Sequence, residues 1–332
     1  MLAAVALLAL SFVAAGQESG KSYSLPPGSF DVENFAVSPG GNAIVFTTKS
    51  DDDGKQNVFV FNLKTAAVKK VATAASAHVF AVPGAHPFAV LAGTNLYFLQ
   101  DDGSSDGPME IPNTGDTLGW GHDGSDFVFT MDKPKINKDS EDYNESGFTA
   151  LGILDVATQK VHPVAVKLPA YHFDVLQTNG QIFVTDNSMD NDKPLIVNVY
   201  DMKGKHIETR NDLYGIVFSP TGRYYLPYVF EAGLSFRVRD AETNRPVLSF
   251  ENNGNEEVAE PRWNPRIDTL LLVEHLDTDE KGNTTGQRLD VLGIPSGKIM
   301  KSMPYGIAQW AQDGKSVVIF RGGKFIFEDL NP

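Results

Sequence analysis

Short apolar runs broken by tight polar turns repeat along almost the whole chain. The runs at residues 43–46, 270–273 and 317–320 are apolar at every position, as strands covered on both faces are. The unit is fullest between residues 213 and 303, where it occurs twice. Residues 214–250 read as four strands (214–219, 224–230, 234–241 and 246–250) punctuated by Pro220-Thr221-Gly222, Glu231-Ala232-Gly233 and Glu242-Thr243-Asn244. Gly, Pro and Asn at such points are turn residues. Residues 260–303 repeat the plan with a longer middle loop. Four antiparallel strands recurring every ~40–50 residues is the period of a β-propeller blade, which needs neighbours to bury its faces.

The same grammar extends outward. Blade one spans residues 35–71. Blade two has strands at 78–82, 88–92, 95–100 and 109–111, and blade three starts at Leu118-Gly119-Trp120. Blade four has strands at 172–176, 181–186, 195–201 and 206–209, and a last copy, residues 306–330, lacks a fourth strand. Before the second strands stand Ser38-Pro39-Gly40-Gly41, His122-Asp123-Gly124, Ser219-Pro220-Thr221-Gly222 and Gln312-Asp313-Gly314. No stretch after the first residues carries sustained helical periodicity. The predicted fold class is all-β: a single propeller over residues 21–332, with seven four-stranded blades. Residues 22–25 are the best unassigned strand, and pairing with the last blade would close the ring and cover its edge. Trp120, Trp263 and Trp310 end the first strands of three blades, which places them at blade boundaries.

Composition narrows the function. With 332 residues, 42% apolar and 10% aromatic, the chain is ordinary globular material. Its formal net charge of -14 is a poor match to nucleic acid or an anionic membrane surface. Without cysteine it has no disulfides, thiol nucleophile or Cys-based zinc site. Residues 1–16 form an apolar stretch ending in Val13-Ala14-Ala15-Gly16, which resembles a signal peptide and predicts a secreted or periplasmic protein, with a cytoplasmic one as the alternative. No other segment reads as a membrane span, and the expected state is a monomer.

Chemical motifs are sparse. Residues 103–107 match Gly-x-Ser-x-Gly, but a nucleophile elbow needs a strand before it and a helix after it, and this sequence reads as a hairpin turn. Residues 277–282 begin like a calcium loop, yet position five is Lys281 and position twelve is Arg288, neither an oxygen ligand. The seven histidines show no metal-ligand spacing, although His172 falls on an innermost strand. Asn144-Glu145-Ser146 and Asn283-Thr284-Thr285 are glycosylation sequons in loops. No catalytic constellation and no cofactor motif emerges.

The Ser-Pro-x-Gly turn followed by an apolar strand resembles WD40-like repeats, including TolB-type periplasmic propellers. Phe218-Ser219-Pro220, residues 239–243, Leu248-Ser249-Phe250 and Pro261-Arg262-Trp263-Asn264 resemble the propeller of eukaryotic translation initiation factor 2A. The propeller in subunit b of initiation factor 3 is similar too. That resemblance implies ribosome or initiator-tRNA binding. It departs at Thr284-Thr285-Gly286-Gln287, where those factors carry Tyr-Tyr-Gly-Glu. Three readings follow: an exported, non-enzymatic scaffold binding a protein or small ligand, an initiation-factor-type propeller, and a lactonase- or lyase-like enzyme with an axial metal.

Loop lengths suggest where binding occurs. Loops between second and third strands emerge on one side of a propeller, and here they are the long ones: residues 50–56, 132–147, 187–194 and 277–286. Together they carry half of the net charge. The sequence therefore nominates Asp51, Asp52, Asp53, Asp139, Glu141, Asp142, Asp277 and Asp279 as binding residues for basic partners or cations.

Overall fold

The computed structural model describes residues 20–27, 30–49, 53–113, 115, 117–131, 148–176, 178–186, 194–227, 234–251, 256–279 and 284–330. These form antiparallel four-stranded blades, seven in number, arranged as a propeller. Blade one runs Val32–Val37, Ala43–Thr48, Gln56–Asn62 and Ala67–Ala74 in sheet order. Blades two, five and six repeat that order from Ala77, Val217 and Glu256. Blades three and four are joined by one 17-residue strand, Lys160–Leu176, which the sequence reading had divided. Its first half pairs with Phe148–Asp155 as an outer strand, and after a register shift at residues 170–172 its second half pairs with Gln181–Asp186 as an inner one.

Blade seven is completed from the other end of the described chain. Lys21–Ser24 pairs antiparallel with Lys324–Asp329, in the register Lys21↔Phe327 through Ser24↔Lys324. The strand sits one residue earlier than its sequence-based bounds. Tyr23 meets Phe327 edge-on, with ring centroids 5.6 Å apart. The backbone groups that Lys324–Asp329 would otherwise expose are thereby paired.

The core lies between blades. Among the described residues, seven apolar clusters fill the seven blade-to-blade interfaces, and second strands feed two clusters each. Ile44 and Phe46 point toward Phe325 of blade seven, whereas Val45 between them points toward Val79 and Val90 of blade two. Leu271 and Val273 face blade five, and Leu272 faces Val317 and Ile319 of blade seven. Side chains of a strand alternate between faces, so a strand sandwiched between two blades must be apolar at every position. That is the physical origin of the unbroken apolar runs.

Candidate functional site

Innermost strands leave one edge without a strand partner, so their amides and carbonyls must be satisfied by side chains or water. Neighbouring blades supply several. The Trp263 indole donates to the Val217 carbonyl at 3.1 Å, and the Trp310 indole to the Arg262 carbonyl at 2.9 Å. Arg262 donates to Ala308 O at 3.0 Å, and Gln309 to Asn34 Oδ1 at 3.3 Å. The tryptophans thus sit at blade boundaries, as the repeat implied. Trp120 occupies the equivalent place against Phe80, but its buried Nε1 has no acceptor among the described residues.

The turns after these inner strands are built alike. In Ser38-Pro39-Gly40-Gly41 the buried Ser38 hydroxyl accepts from the amides of Asn42 and Ala43, both at 3.1 Å. Ser219 does the same for Tyr224. The serine of the motif is a turn-closing acceptor. At blade six Asn264 takes that place: Oδ1 accepts from the amides of Arg266 and Ile267, and Nδ2 donates to Gly314 O of blade seven at 2.8 Å. Adjacent turns touch through backbone. A Cβ on Gly124 would lie 2.1 Å from Pro83 O, and φ there is +70°, so both space and conformation require glycine.

This close packing gathers six turns into a cup of about 330 Å³ at the mouth of the central channel. Blades two to seven contribute Pro83, His122, Thr178, Thr221, Arg266 and Gln312 in turn. Trp263 lines the wall while stacking nearly parallel to Tyr224, at 6.4 Å between centroids. The volume is at the lower end of small-molecule sites.

Asp174 and Arg266 give the cup its electrostatics. Asp174 sits on the innermost strand of blade four, accepting from its own neighbour's amide, Val175 N, at 2.8 Å and from Phe218 N of blade five. Part of its surface still meets the cup, yet dense protein surrounds it, and this enclosure outweighs the two amides and pushes its carboxyl up to about 7. His172, two residues earlier, is held below its ordinary value by burial. At the rim, exposed Arg266 is anchored by Nε to Gln312 O at 3.0 Å. Its two Nη nitrogens have no partner among the described residues.

Of the acids nominated from the long loops, Asp53, Asp277 and Asp279 lie on the other face, because loops after second strands leave the ring opposite the turns after first strands. Asp51, Asp52, Asp139, Glu141 and Asp142 lie outside the described residues. Asp53 is exposed and paired with Lys55 at 2.9 Å. Asp277 is half-exposed and held by Arg288 at 3.2 Å. Arg288, which disqualifies the calcium loop on sequence, is thus the counter-ion of the loop's first acid. Asp279 is on the same loop, two blades from Asp53, with blade seven between them. The Gly-x-Ser-x-Gly sequence is a hairpin turn packed on blade one, with Gly103 O accepting from Lys69. Among the described residues no three His, Asp or Glu side chains come together as a metal site requires, and no helix is long and apolar enough to cross a membrane.

Sequence reading missed the cup because each contributor reads locally as hairpin grammar. One signal was present: Asp174 is an acid inside the apolar run Phe173-Asp174-Val175-Leu176 of an innermost strand.

No protein-family model matches the chain, and no curated protein does. Solved structures match in fold. The WD40 domain of Neurospora crassa Pan2 aligns with a TM-score of 0.56 and 12% identity, over 95% of this chain and 98% of that one. An oligogalacturonate lyase in complex with manganese aligns at 0.57 and 13%, covering 95% and 99%. The Dos1 propeller aligns at 0.55 and 10%, covering 94% and 95%. At these identities the likeness is one of architecture.

Proposed function

We propose that the protein is a non-catalytic binding propeller that captures a small ligand in the cup at its channel mouth, and that it works outside the cytoplasm. The observation that carries the reading is the convergence of six turns, an aromatic wall and a charged rim on one recess. A rigid ring with a preformed concave site needs little reorganisation on binding, which favours affinity. Export is supported by the signal-like residues 1–16, and a protein-docking role for the long acidic loops is compatible with the same scaffold. The test is to fill the cup. Gln312→Trp places an indole at the rim without touching the carbonyl that Arg266 uses. Ligand capture should fall while the melting temperature holds, and full capture by this variant would overturn the reading.

A second reading, an axial-metal enzyme, has one observation in its favour. His172 and Asp174 alternate along an innermost strand, and a lyase shares the architecture. Two donors on one strand are short of a metal set. The initiation-factor reading rests on sequence resemblance alone, in the 218–264 stretch and, beyond it, at Asp277, Asp279, Gly282, Gly306-Ile307, Trp310 and residues 322–330.

A further inference from the structure

Resting on the cup as the binding site, we propose that its ligand is a small carboxylate, held end-on by the guanidinium of Arg266 and by a hydrogen bond from the carboxyl of Asp174.

Arg266 supplies the first half. Arg210, Arg262 and Arg288 each pair with a carboxylate, of Asp212, Glu274 and Asp277 respectively. Arg223 and Arg239 lie over tyrosine rings instead. Among the described residues Arg266 has neither arrangement. Its Nε is spent on Gln312 O, which fixes the plane of the group and leaves the Nη1–Nη2 edge as a planar two-donor fork. That edge matches the two coplanar oxygens of a carboxylate.

Asp174 supplies the second half and sets the pH window. With its carboxyl pushed up to about 7, it is neutral in mildly acid solution and can donate O–H to an anionic oxygen. Such a charge-assisted bond is short and strong. The groups around it permit this. His172, on the same strand, is held below its ordinary value by burial, which favours its uncharged form. His122 comes from blade three and Arg266 from blade six. Blade five presents backbone and Thr221, which donates to Asp268 and so occupies that acid. A ligand carboxylate and Asp174 then share one proton, and Arg266, on the same recess, supplies the cation. Once Asp174 ionises the two anions repel, so capture weakens as pH rises through about 7.

Size and charge restrict the class further. A recess of about 330 Å³ admits a small acid or the last residue of a chain. The net charge of -14 disfavours polyanions. A phosphate dianion would be disfavoured beside the ionising Asp174.

The experiment is calorimetry on the full chain with benzoate, benzamide, benzylamine, inorganic phosphate and a short peptide carrying a free or an amidated C-terminus. Benzoate should bind at about pH 6 and at least ~tenfold more weakly at about pH 8. Arg266→Gln, an exposed position where folding is not at stake, should abolish binding. Asp174→Asn should bind equally at both pH values, because the amide is a permanent donor. Benzoate alone points to a free acid as the source, and the free-terminus peptide binding better than benzoate points to a chain end. Benzamide, benzylamine or phosphate binding in place of carboxylates would overturn the carboxylate and leave the cup standing. No heat from any probe would overturn both, and benzoate binding unchanged in Arg266→Gln would overturn the assigned site.

Discussion

The indole nitrogen of Trp310 donates to the backbone oxygen of Arg262 across a blade boundary at 2.9 Å, and Trp263 repeats that bond to Val217 at 3.1 Å. Trp120 stands at the same point of blade three with its nitrogen buried and unpaired among the described residues. Replacing each tryptophan by phenylalanine therefore separates packing from hydrogen bonding. Trp310→Phe leaves the Arg262 carbonyl without its partner, a loss of ~1–3 kcal/mol in addition to lost packing. Trp120→Phe removes an unsatisfied donor and should cost measurably less in denaturant unfolding. Equal costs would show that the indole bonds contribute nothing.

Ring closure makes a stability prediction. Removing residues 21–27 uncovers Lys324–Asp329 and removes the Tyr23 ring from Phe327. An open edge invites pairing with another chain. The truncated protein should melt well below the intact one and should associate on size-exclusion chromatography. An unchanged melting temperature would remove the clasp from the account of stability.

Asp174 links folding to pH with a definite sign. Its folded value of about 7 lies above the ~3.9 of an unfolded aspartate. Between those values the unfolded chain releases a proton that the folded one keeps, so stability falls as pH rises and levels off above about 7. Asp174→Asn should be increasingly stabilised relative to the parent across that window, by up to a few kcal/mol. A pH-independent difference would mean that the carboxyl titrates normally.

In blade six, Asp290 is fully buried and holds three groups: Arg288 at 3.1 Å, His275 at 3.2 Å and the Ser302 hydroxyl at 2.6 Å. Asp290→Ala removes the buried carboxylate that holds Arg288, His275 and Ser302 together, leaving Arg288 to Asp277 alone, and should cost ~2–3 kcal/mol. Asp53→Asn, which breaks an exposed pair with Lys55, should cost under ~1 kcal/mol. Asp277→Asn should fall between them, because Asp277 supports Arg288 from a half-exposed position. Chemical denaturation of the three variants gives the ranking, and a near-neutral Asp290→Ala would contradict it.

Processing of the N-terminus tests the proposed export. Protein recovered from its native host should begin after Ala15 or Gly16, where small residues precede Gln17-Glu18-Ser19. Mass spectrometry of the mature N-terminus reads this directly, and an intact Met1 in a cytosolic fraction would refute export.

The sequence by itself determined the architecture. Strand runs, turn residues and the ~40–50-residue period are local quantities, set by side-chain alternation and by the backbone freedom of Gly, Asn and Pro. They sufficed to predict an all-β ring of seven blades, and even the closing strand, because an unpaired last blade demands one. The 17-residue strand shared by blades three and four is not legible in the sequence, because Pro163 and Pro169 within it are residues that a paired strand ordinarily excludes. The acidic loops were legible as charge, but only the structure showed Asp277 committed to Arg288 and Asp53 to Lys55. The cup belongs wholly to the tertiary structure. His122, Asp174, Trp263 and Arg266 sit on three different blades, and each has a sufficient local reason to be where it is in the sequence. They become neighbours because inner strands converge on the axis as the blades pack. The shifted carboxyl of Asp174 follows from the same convergence, since desolvation is a property of the surroundings and not of the chain on either side.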